Sequence, residues 1–260
     1  MKKTLLSVFA MAALLVATGA NAAMTNLGVA PDAVFEGHVI SEPTGGFSGA
    51  YCPSEADDPI FRADLGTASG GTWDYIDTRA VTPSVSQLSA YACVMTWANF
   101  AYLDNVAFGN NLADYVDGGG SVVLGAFTAY TSGNFLSGRI MTDAAYAPVT
   151  GGFNKFSLVS WSGDAAGECV HTGVSTYGAT YRDILTLRAG ADLTGTFSDG
   201  NIAQARNAAN NVGYANGAGG FPLDGDGPQW AQVVANHCVC EDGPTSNESS
   251  TWGQIKELYR

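Results

Sequence analysis

The clearest hydrophobic pattern in the chain lies in residues 91–127, where two short apolar runs flank an amphipathic segment. The runs, residues 92–97 and 121–127, are rich in valine, leucine and aromatic residues and are too short for helices, which favours strands buried on both faces. Between them, four apolar residues recur at helical spacing, namely Phe108, Leu112, Tyr115 and Val116. Three glycines, residues 118–120, then provide a C-terminal stop. The pattern predicts a right-handed parallel strand–helix–strand unit.

The segment before this unit repeats the same alternation. Residues 73–78 are strand-like, and Thr82 and Pro83 are typical of a helix N-cap followed by proline at the first helical position. Val85 and Leu88 would then face inward. Together with the unit that follows, this segment predicts the order strand, helix, strand, helix, strand.

The second half of the chain is less regular. Residues 155–161 and 191–197 predict two strands, and residues 202–214 predict a weaker pair of strands broken near residue 210. These strands could form an antiparallel extension of the sheet. Residues 228–239 return to helical spacing, which predicts a helix that packs on the sheet. Four residues would form its buried face, namely Trp230, Val233, Val234 and His237.

Both ends of the chain differ from the middle. Residues 1–22 contain two lysines, an apolar stretch and an Ala-Asn-Ala site, which predicts a secretory signal peptide cleaved after Ala22. Its apolar run is too short to span a bilayer, and no comparable stretch follows, so we expect no transmembrane segment. Residues 23–241 form the expected domain, residues 242–250 a flexible linker and residues 251–260 an amphipathic C-terminal tail.

The tail and the charge bear on partners. Trp252, Ile255 and Leu258 share one side of a short helical pattern, so the tail would either dock to a sorting or surface partner or fold back on its own domain. The formal net charge of the chain is −13, and loss of Lys2 and Lys3 with the leader would make it more negative. This acidity excludes nucleic acid as an expected partner and disfavours anionic membranes.

Three segments resemble the class I glutamine amidotransferase-like or ThuA-like domains of bacterial secreted proteins. They read Y-I-D-T-R-A-V-T-P-S-V-S-Q-L-S-A-Y from residue 75, L-A-D-Y-V-D-G-G-G-S-V-V-L from residue 112 and G-D-G-P-Q-W-A-Q-V-V-A-N from residue 225. The resemblance covers residues 33–241. It implies an α/β, three-layer flavodoxin-like domain with a mainly parallel central sheet, to which an antiparallel extension would be added.

The resemblance also implies where catalysis would occur. Active amidotransferases resemble one another in a G-x-C-x-G elbow after the strand that corresponds to residues 121–124, completed by a downstream His and Glu. Here the turn reads Gly-Ala-Phe-Thr-Ala over residues 125–129, and no G-x-C-x-G occurs in the chain. The glutaminase mechanism therefore does not carry over, whereas the scaffold does. We expect a catalytically degenerate domain that uses no cofactor.

Five cysteines in a chain with a secretory leader predict disulfides formed in an oxidising compartment. Cys93 lies in a strand expected to be buried on both faces, so we predict that it is the unpaired thiol. Cys238 and Cys240 are too close for an unstrained mutual bridge and would instead reach Cys52 and Cys169, in an undetermined order. A second interpretation of the H-C-V-C sequence is a zinc site.

Candidate chemistry clusters at the predicted carboxyl ends of the strands. If the domain is an enzyme, the reaction would take place in a crevice beside Thr128, with His171 or Asp143 as the base. Open α/β sheets place their ligands at this edge, where Tyr102 and Tyr130 could stack on a sugar.

Asp224 and Asp226 have the spacing that opens a calcium loop. The third ligand position is Pro228, however, and the bidentate glutamate is missing. A tight turn that opens the following helix explains the two aspartates better.

Two classes of function fit these patterns. The first is a binding or display domain that is secreted into the periplasm, the cell surface or the medium, with a glycan or an envelope protein as its partner. The second is a ThuA-like hydrolase or carbohydrate-active enzyme. The missing elbow cysteine, the three histidines and the absence of a complete metal motif favour the binding domain.

Overall fold

The computed structural model describes residues 46–130, 133–217 and 227–240, in which strands and helices first alternate and then give way to a run of short strands. The strands are β1 (Ser48–Tyr51), β2 (Thr72–Tyr75), β3 (Cys93–Thr96), β4 (Ser121–Leu124), β5 (Val149–Thr150), β6 (Asn154–Ser160), β7 (Gly178–Asp183), β8 (Thr186–Leu187), β9 (Asp192–Thr196), β10 (Ile202–Asn207) and β11 (Val212–Ala215). The α-helices are α1 (Pro59–Ser69), α2 (Val85–Leu88), α3 (Asn105–Asp117), α4 (Arg139–Thr142) and α5 (Gly227–Val239).

Seven strands form one sheet in the order β2-β1-β3-β4-β11-β10-β9. The first five of these pair in parallel, and β10 is antiparallel to both of its neighbours, β11 and β9. The parallel part has the flavodoxin-like order 2-1-3-4-5, with β11 in the fifth place. The predicted fold class, including its antiparallel extension, is confirmed.

The helices cover the two faces of this sheet. The chain steps from β1 to β2 in one direction and from β3 to β4 in the other. Right-handed crossovers therefore place α1 and α3 on opposite faces. α1 packs against α5, while α3 packs against α2 and α4, which completes the three layers.

Helix α3 shows why the alternation forms. Asp104 caps its N-terminus by accepting hydrogen bonds from the backbone N–H groups of Val106 (3.1 Å) and Ala107 (2.9 Å), and the helix is followed by Gly118. The apolar residues identified by helical spacing are buried, namely Phe108, Leu112, Tyr115 and Val116. The helix is therefore held by one apolar stripe against the sheet.

Two details of the prediction are wrong. Helix α2 is capped by Ser84, not Thr82, because Ser84 and Gln87 form a reciprocal capping box that satisfies a backbone N–H at each residue. Strand β11 is not part of the antiparallel extension. It pairs in parallel with β4 on one side and antiparallel with β10 on the other, so it joins the parallel strands to the extension.

The part of the chain that follows the turn after β4, residues 139–211, is called the inserted segment below. It contains α4, the antiparallel ladders β5–β8 and β6–β7, and the strands β9 and β10 that extend the main sheet. Gly151 packs so closely on the turn after β4 that an added Cβ would lie 1.4 Å from the backbone oxygen of Ala129. The inserted segment therefore folds directly over the carboxyl end of β4.

The disulfide pairing differs from the prediction. Cys93 bonds to Cys238 and Cys169 bonds to Cys240, whereas Cys52 is the buried free thiol. The predictions that Cys93 is unpaired and that Cys52 is bridged are wrong. A strand buried on both faces does not isolate its cysteine when the covering helix brings a partner, and here α5 supplies it. The zinc interpretation is wrong too, because both thiols of the H-C-V-C sequence are oxidised.

Several predictions concern residues outside the described part of the chain. These are the signal peptide of residues 1–22, the linker and tail of residues 242–260, and the aspartates Asp224 and Asp226. Within the described residues, no helix has the length and apolar character needed for a membrane span.

Candidate functional site

The carboxyl edge of the parallel strands is where this topology places a ligand site. The turn after β4 lies at the middle of that edge, because β4 is the central strand of the seven. Gly125 starts the turn where a side chain would not fit, since an added Cβ would lie 2.8 Å from Cβ of Trp97. Two residues later Phe127 has a φ of 66°, a left-handed conformation that a residue with a large side chain rarely adopts. The turn is therefore sharp and strained.

A buried carboxylate accepts hydrogen bonds from this turn. Oδ2 of Asp183, at the end of β7, accepts from the backbone N–H of Phe127 at 2.7 Å and from the hydroxyl of Tyr214 at 2.5 Å. Asn216 fixes the backbone of Asp183, since its side chain accepts from the Asp183 N–H and donates to the Asp183 carbonyl, both at 2.9 Å. The side chain of Asp183 is thus held as an internal anion at the strained turn.

The environment changes the ionisation of both acidic partners. Burial raises the pKa of Asp183 to about 6, although hydrogen bonds from Tyr214, Phe127 and Ala129 favour its charged form and oppose the shift. Burial and the nearby Asp183 carboxylate raise the pKa of Tyr214 well above its usual value, so its hydroxyl remains a donor. Near neutral pH the turn therefore faces a carboxylate.

The ring of Phe127 points away from this polar network into an aromatic cluster. Its centroid lies 6.1 Å from that of Phe156 and 6.3 Å from that of Tyr181, on the β6–β7 ladder. Phe127 is only 8% exposed, whereas Phe156 is 62% exposed. The residue at the strained position thus holds the inserted segment against the sheet by ring packing.

A hollow of about 350 Å³ opens beside the turn. Its lining comes from three parts of the chain: the turn at residues 128–130, the stretch around α4, and the β5–β8 ladder with Arg188. Arg188 donates from Nε to the carbonyl of Val149 at 3.2 Å and from Nη2 to the carbonyl of Met141 at 2.5 Å. These bonds fix a guanidinium group at the wall of the hollow.

The three predicted catalytic residues have separate hydrogen-bond partners. Thr128 lines the hollow, and its hydroxyl donates to the carbonyl of Gly125 at 2.7 Å. Asp143 directly follows α4 and accepts from the backbone N–H of Ala145 at 2.9 Å. The structure therefore places Thr128 at the hollow and Asp143 next to a helix that lines it.

His171 belongs to a different environment. Its ring stacks on Trp161 with centroids 4.2 Å apart, and its nitrogens face the carbonyl of Ala165 at 3.1 Å and the hydroxyl of Tyr177 at 3.3 Å. Burial lowers the pKa of His171, so the ring is neutral near pH 7. These contacts describe a packed structural histidine.

The two predicted ligand-binding tyrosines also lie in different environments. Tyr102 is buried, and its hydroxyl shares a 3.0 Å hydrogen bond with Thr96 inside the core. Tyr130 is half-buried and lines the hollow. Of the pair, the structure brings only Tyr130 to a place where a ligand could reach it.

Sequence reasoning did not identify Asp183, Tyr214 or Arg188. Asp183 and Phe127 are 56 residues apart, and no local spacing connects a carboxylate to a turn at that distance. Arg188 lies in a short strand connection whose residues show no period. The one available signal was the phenylalanine in the turn itself. A bulky apolar side chain directly after a buried strand predicts that packing fills the position where a catalytic side chain would lie.

The fold has relatives among solved structures. A protein of Bacteroides uniformis described as ThuA-like is 14% identical, with a TM-score of 0.56 over 79% of this chain and 97% of its own. A protein of Thermoplasma acidophilum described as a GMP synthase subunit is 9% identical, with a TM-score of 0.53 over 82% and 98%. A cytoplasmic protein of Salmonella typhimurium is 10% identical, with a TM-score of 0.50 over 73% and 97%.

Sequence comparison adds no relative, since no protein-family profile and no curated protein matches the chain. At identities of 9–14% the structural likeness concerns the fold alone. The comparisons therefore show that this chain shares its α/β fold with the ThuA-like protein and with the other two structures.

Proposed function

We propose that this protein is an exported binding domain that keeps an amidotransferase-like scaffold and has lost the catalytic chemistry of its central turn. The observation that supports this proposal best is that groups of the protein itself already occupy the turn after β4. Phe127 occupies its strained position, and the carboxylate of Asp183 accepts a hydrogen bond from the Phe127 N–H.

Two features of this turn argue against acyl transfer. A covalent mechanism needs a nucleophile activated by a neighbouring base, and the side chain at φ 66° is a phenyl ring. An oxyanion hole needs backbone donors directed at the developing negative charge. Here one such donor already binds an internal carboxylate, so an oxyanion would have to displace Asp183 from a buried network.

Two disulfides support export. Cys93–Cys238 and Cys169–Cys240 tie α5 to β3 and to the inserted segment. Such bonds persist in oxidising compartments and are rare in the cytosol. Together with the secretory leader expected at residues 1–22, they favour a protein that works outside the cytoplasm.

The proposal is tested with the purified, oxidised protein in three assays: ammonia release from glutamine, hydrolysis of chromogenic esters, and hydrolysis of a panel of chromogenic glycosides. We expect no turnover above buffer, with an active amidotransferase as the positive control for the first assay. The variants Thr128→Val and Asp143→Asn are run in parallel.

Turnover that either variant abolishes would contradict the proposal and would establish the competing function, a hydrolase or carbohydrate-active enzyme working beside Thr128. The observation that favours this competing function is that Thr128 and Tyr130 line the same open hollow.

A further inference from the structure

The hollow beside the turn after β4 has the features of a small-molecule site. Its volume of about 350 Å³ lies at the lower end of the roughly 300–1,000 Å³ found for such sites. Its lining combines apolar surface from Phe135, Leu136 and Met141 with the ring of Tyr130. A site of this size suits one sugar ring better than an extended chain.

Arg188 differs from four other arginines of the described chain in its partners. Four arginines each form an ion pair with aspartate, namely Arg62, Arg79, Arg139 and Arg182. Arg188 pairs with no acidic side chain of the described residues, although the protein carries a formal net charge of −13. Its two hydrogen bonds go to the carbonyls of Val149 and Met141 instead.

These two bonds prepare Arg188 for an external anion. They anchor the guanidinium group to two different walls of the hollow, which limits the conformational entropy that binding would remove. A guanidinium group has five N–H donors in a planar fork, so donors remain for a ligand. The geometry of the fork matches a carboxylate bound through both oxygens.

Hydroxyl side chains line the same hollow as Arg188. They include Ser137, Thr142 and Thr150, and the hydroxyls of Ser137 and Thr150 make no hydrogen bond with any described residue. Hydroxyl groups that both donate and accept can bind the hydroxyls of a sugar, while an aromatic ring packs on its apolar face.

We propose that this hollow binds a sugar carboxylate, namely one hexuronic acid unit, with the carboxylate on Arg188 and the ring beside Tyr130. The proposal rests on the proposed function, because a domain without catalysis at its central turn would use the adjacent hollow for recognition. It identifies the ligand as an acidic glycan.

Isothermal titration calorimetry on the full oxidised protein tests this assignment. The probes are sodium glucuronate and sodium galacturonate. The reference compounds are glucose and galactose, which lack the carboxylate, sodium acetate, which lacks the ring, and inorganic phosphate. We expect at least one uronate to bind saturably, and each reference compound to bind at least about tenfold more weakly, as the loss of one charged hydrogen-bonded contact predicts.

Variants locate the site. Arg188→Gln should weaken uronate binding at least about tenfold, and Tyr130→Leu should weaken it without disturbing the hydrogen bonds of Arg188. Arg79→Gln is the matched control, because Arg79 is paired with Asp77 and does not line the hollow. It should leave the affinity unchanged. If Arg188→Gln does not fold, the decision rests on Tyr130→Leu and on the ligand series.

Three results would overturn the inference: no saturable binding of either uronate, equal binding of a uronate and its neutral sugar or phosphate, or uronate binding that Tyr130→Leu and Arg188→Gln leave unchanged. The outcome is separable from that of the proposed function. Hydrolysis of a glucuronide would refute the non-catalytic proposal while supporting a uronate site, whereas absent binding without turnover would refute only this inference.

Discussion

The sheet from β1 to β4 and the inserted segment are stabilised in different ways. In the first region, strands such as β3 are buried along their whole length, and helices such as α3 bury one apolar stripe. In the inserted segment, β6 is largely exposed and forms only a two-stranded ladder with β7. Distributed apolar burial stabilises the sheet, whereas the exposed β6–β7 ladder of the inserted segment depends more on specific anchors.

Three specific contacts are among those that connect the inserted segment to the rest of the domain. The Cys169–Cys240 disulfide joins it to the end of α5, and Asp183 joins it to Tyr214 and the turn after β4. Gly151 permits its close contact with the same turn. Two of these contacts, made by Asp183 and Gly151, involve the central turn itself, so each of them can be tested by a single substitution.

The largest expected effect is the loss of a disulfide. The Cys93–Cys238 bond closes a separation of 145 residues and the Cys169–Cys240 bond one of 71 residues. Loop-closure entropy then predicts losses of about 5 and about 4 kcal/mol for the paired alanine variants. Urea unfolding measures the two losses.

Hydrogen exchange on the same variants distinguishes the two regions. Without the Cys169–Cys240 bond, amides of the inserted segment should exchange faster while those of β3 and β4 stay protected, because only the inserted segment loses an anchor. A uniform increase in exchange across both regions would refute the difference in stabilisation.

Removing the carboxylate at the turn should have the next largest effect. Asp183→Ala leaves the N–H of Phe127 and the hydroxyl of Tyr214 without their buried acceptor, which predicts a loss of about 3 to 4 kcal/mol in the free energy of unfolding. Asp183→Asn keeps one acceptor oxygen and should lose less. An Asp183→Ala variant as stable as the wild type would mean that the carboxylate does not anchor the turn.

The pH dependence of stability follows from the same residue. The folded pKa of Asp183 is about 6, above the roughly 3.9 of an unfolded aspartate, so the folded state binds more protons between these values. The free energy of unfolding should therefore fall by about 2 to 3 kcal/mol as the pH rises from about 4 to about 6. Subtracting the same curve for Asp183→Asn isolates this contribution, and a difference curve without slope would contradict it.

The smallest expected effect comes from Gly151. In Gly151→Ala the new methyl group would collide with the backbone oxygen of Ala129, so the β5–β8 ladder must shift away from the turn. Overpacking of this kind predicts a loss of about 2 kcal/mol. Gly152→Ala is a neighbouring control, since its added Cβ would lie 3.0 Å from the nearest backbone oxygen. Equal losses in the free energy of unfolding for the two variants would show that the close contact with the turn does not contribute to stability.

The same difference explains what the sequence could predict. Helix α3 follows from its hydrophobic period, and strands β3 and β4 follow from short continuous apolar runs, because burial imposes both patterns. Strand β1 and helix α1 were missed. β1 contains Gly49, where the ring of Trp73 packs so closely that an added Cβ would lie 2.5 Å from it, and such a strand shows little apolar pattern. A glycine required by a neighbouring ring cannot be recognised without the fold.

The candidate site was harder to predict than the fold. Thr128 and Tyr130 were selected because they follow a buried strand, and topology alone brings them to the hollow. Asp183 and Arg188 reach the site through the inserted segment, whose path depends on contacts distant in sequence. The pairing of Cys93 with Cys238 was mispredicted for the same reason, since it requires knowing which helix covers β3.

The central claim is that the carboxylate of Asp183 accepts a hydrogen bond from the backbone of the turn after β4. This bond occupies a donor that an oxyanion would need during catalysis. The most direct test is a pH titration of the Phe127 amide proton by NMR, with Asp183→Asn as the reference. We predict that the resonance shifts with an apparent pKa of about 6 and that the shift is lost in the variant. A Phe127 amide that does not titrate, or that titrates identically in Asp183→Asn, would contradict the account.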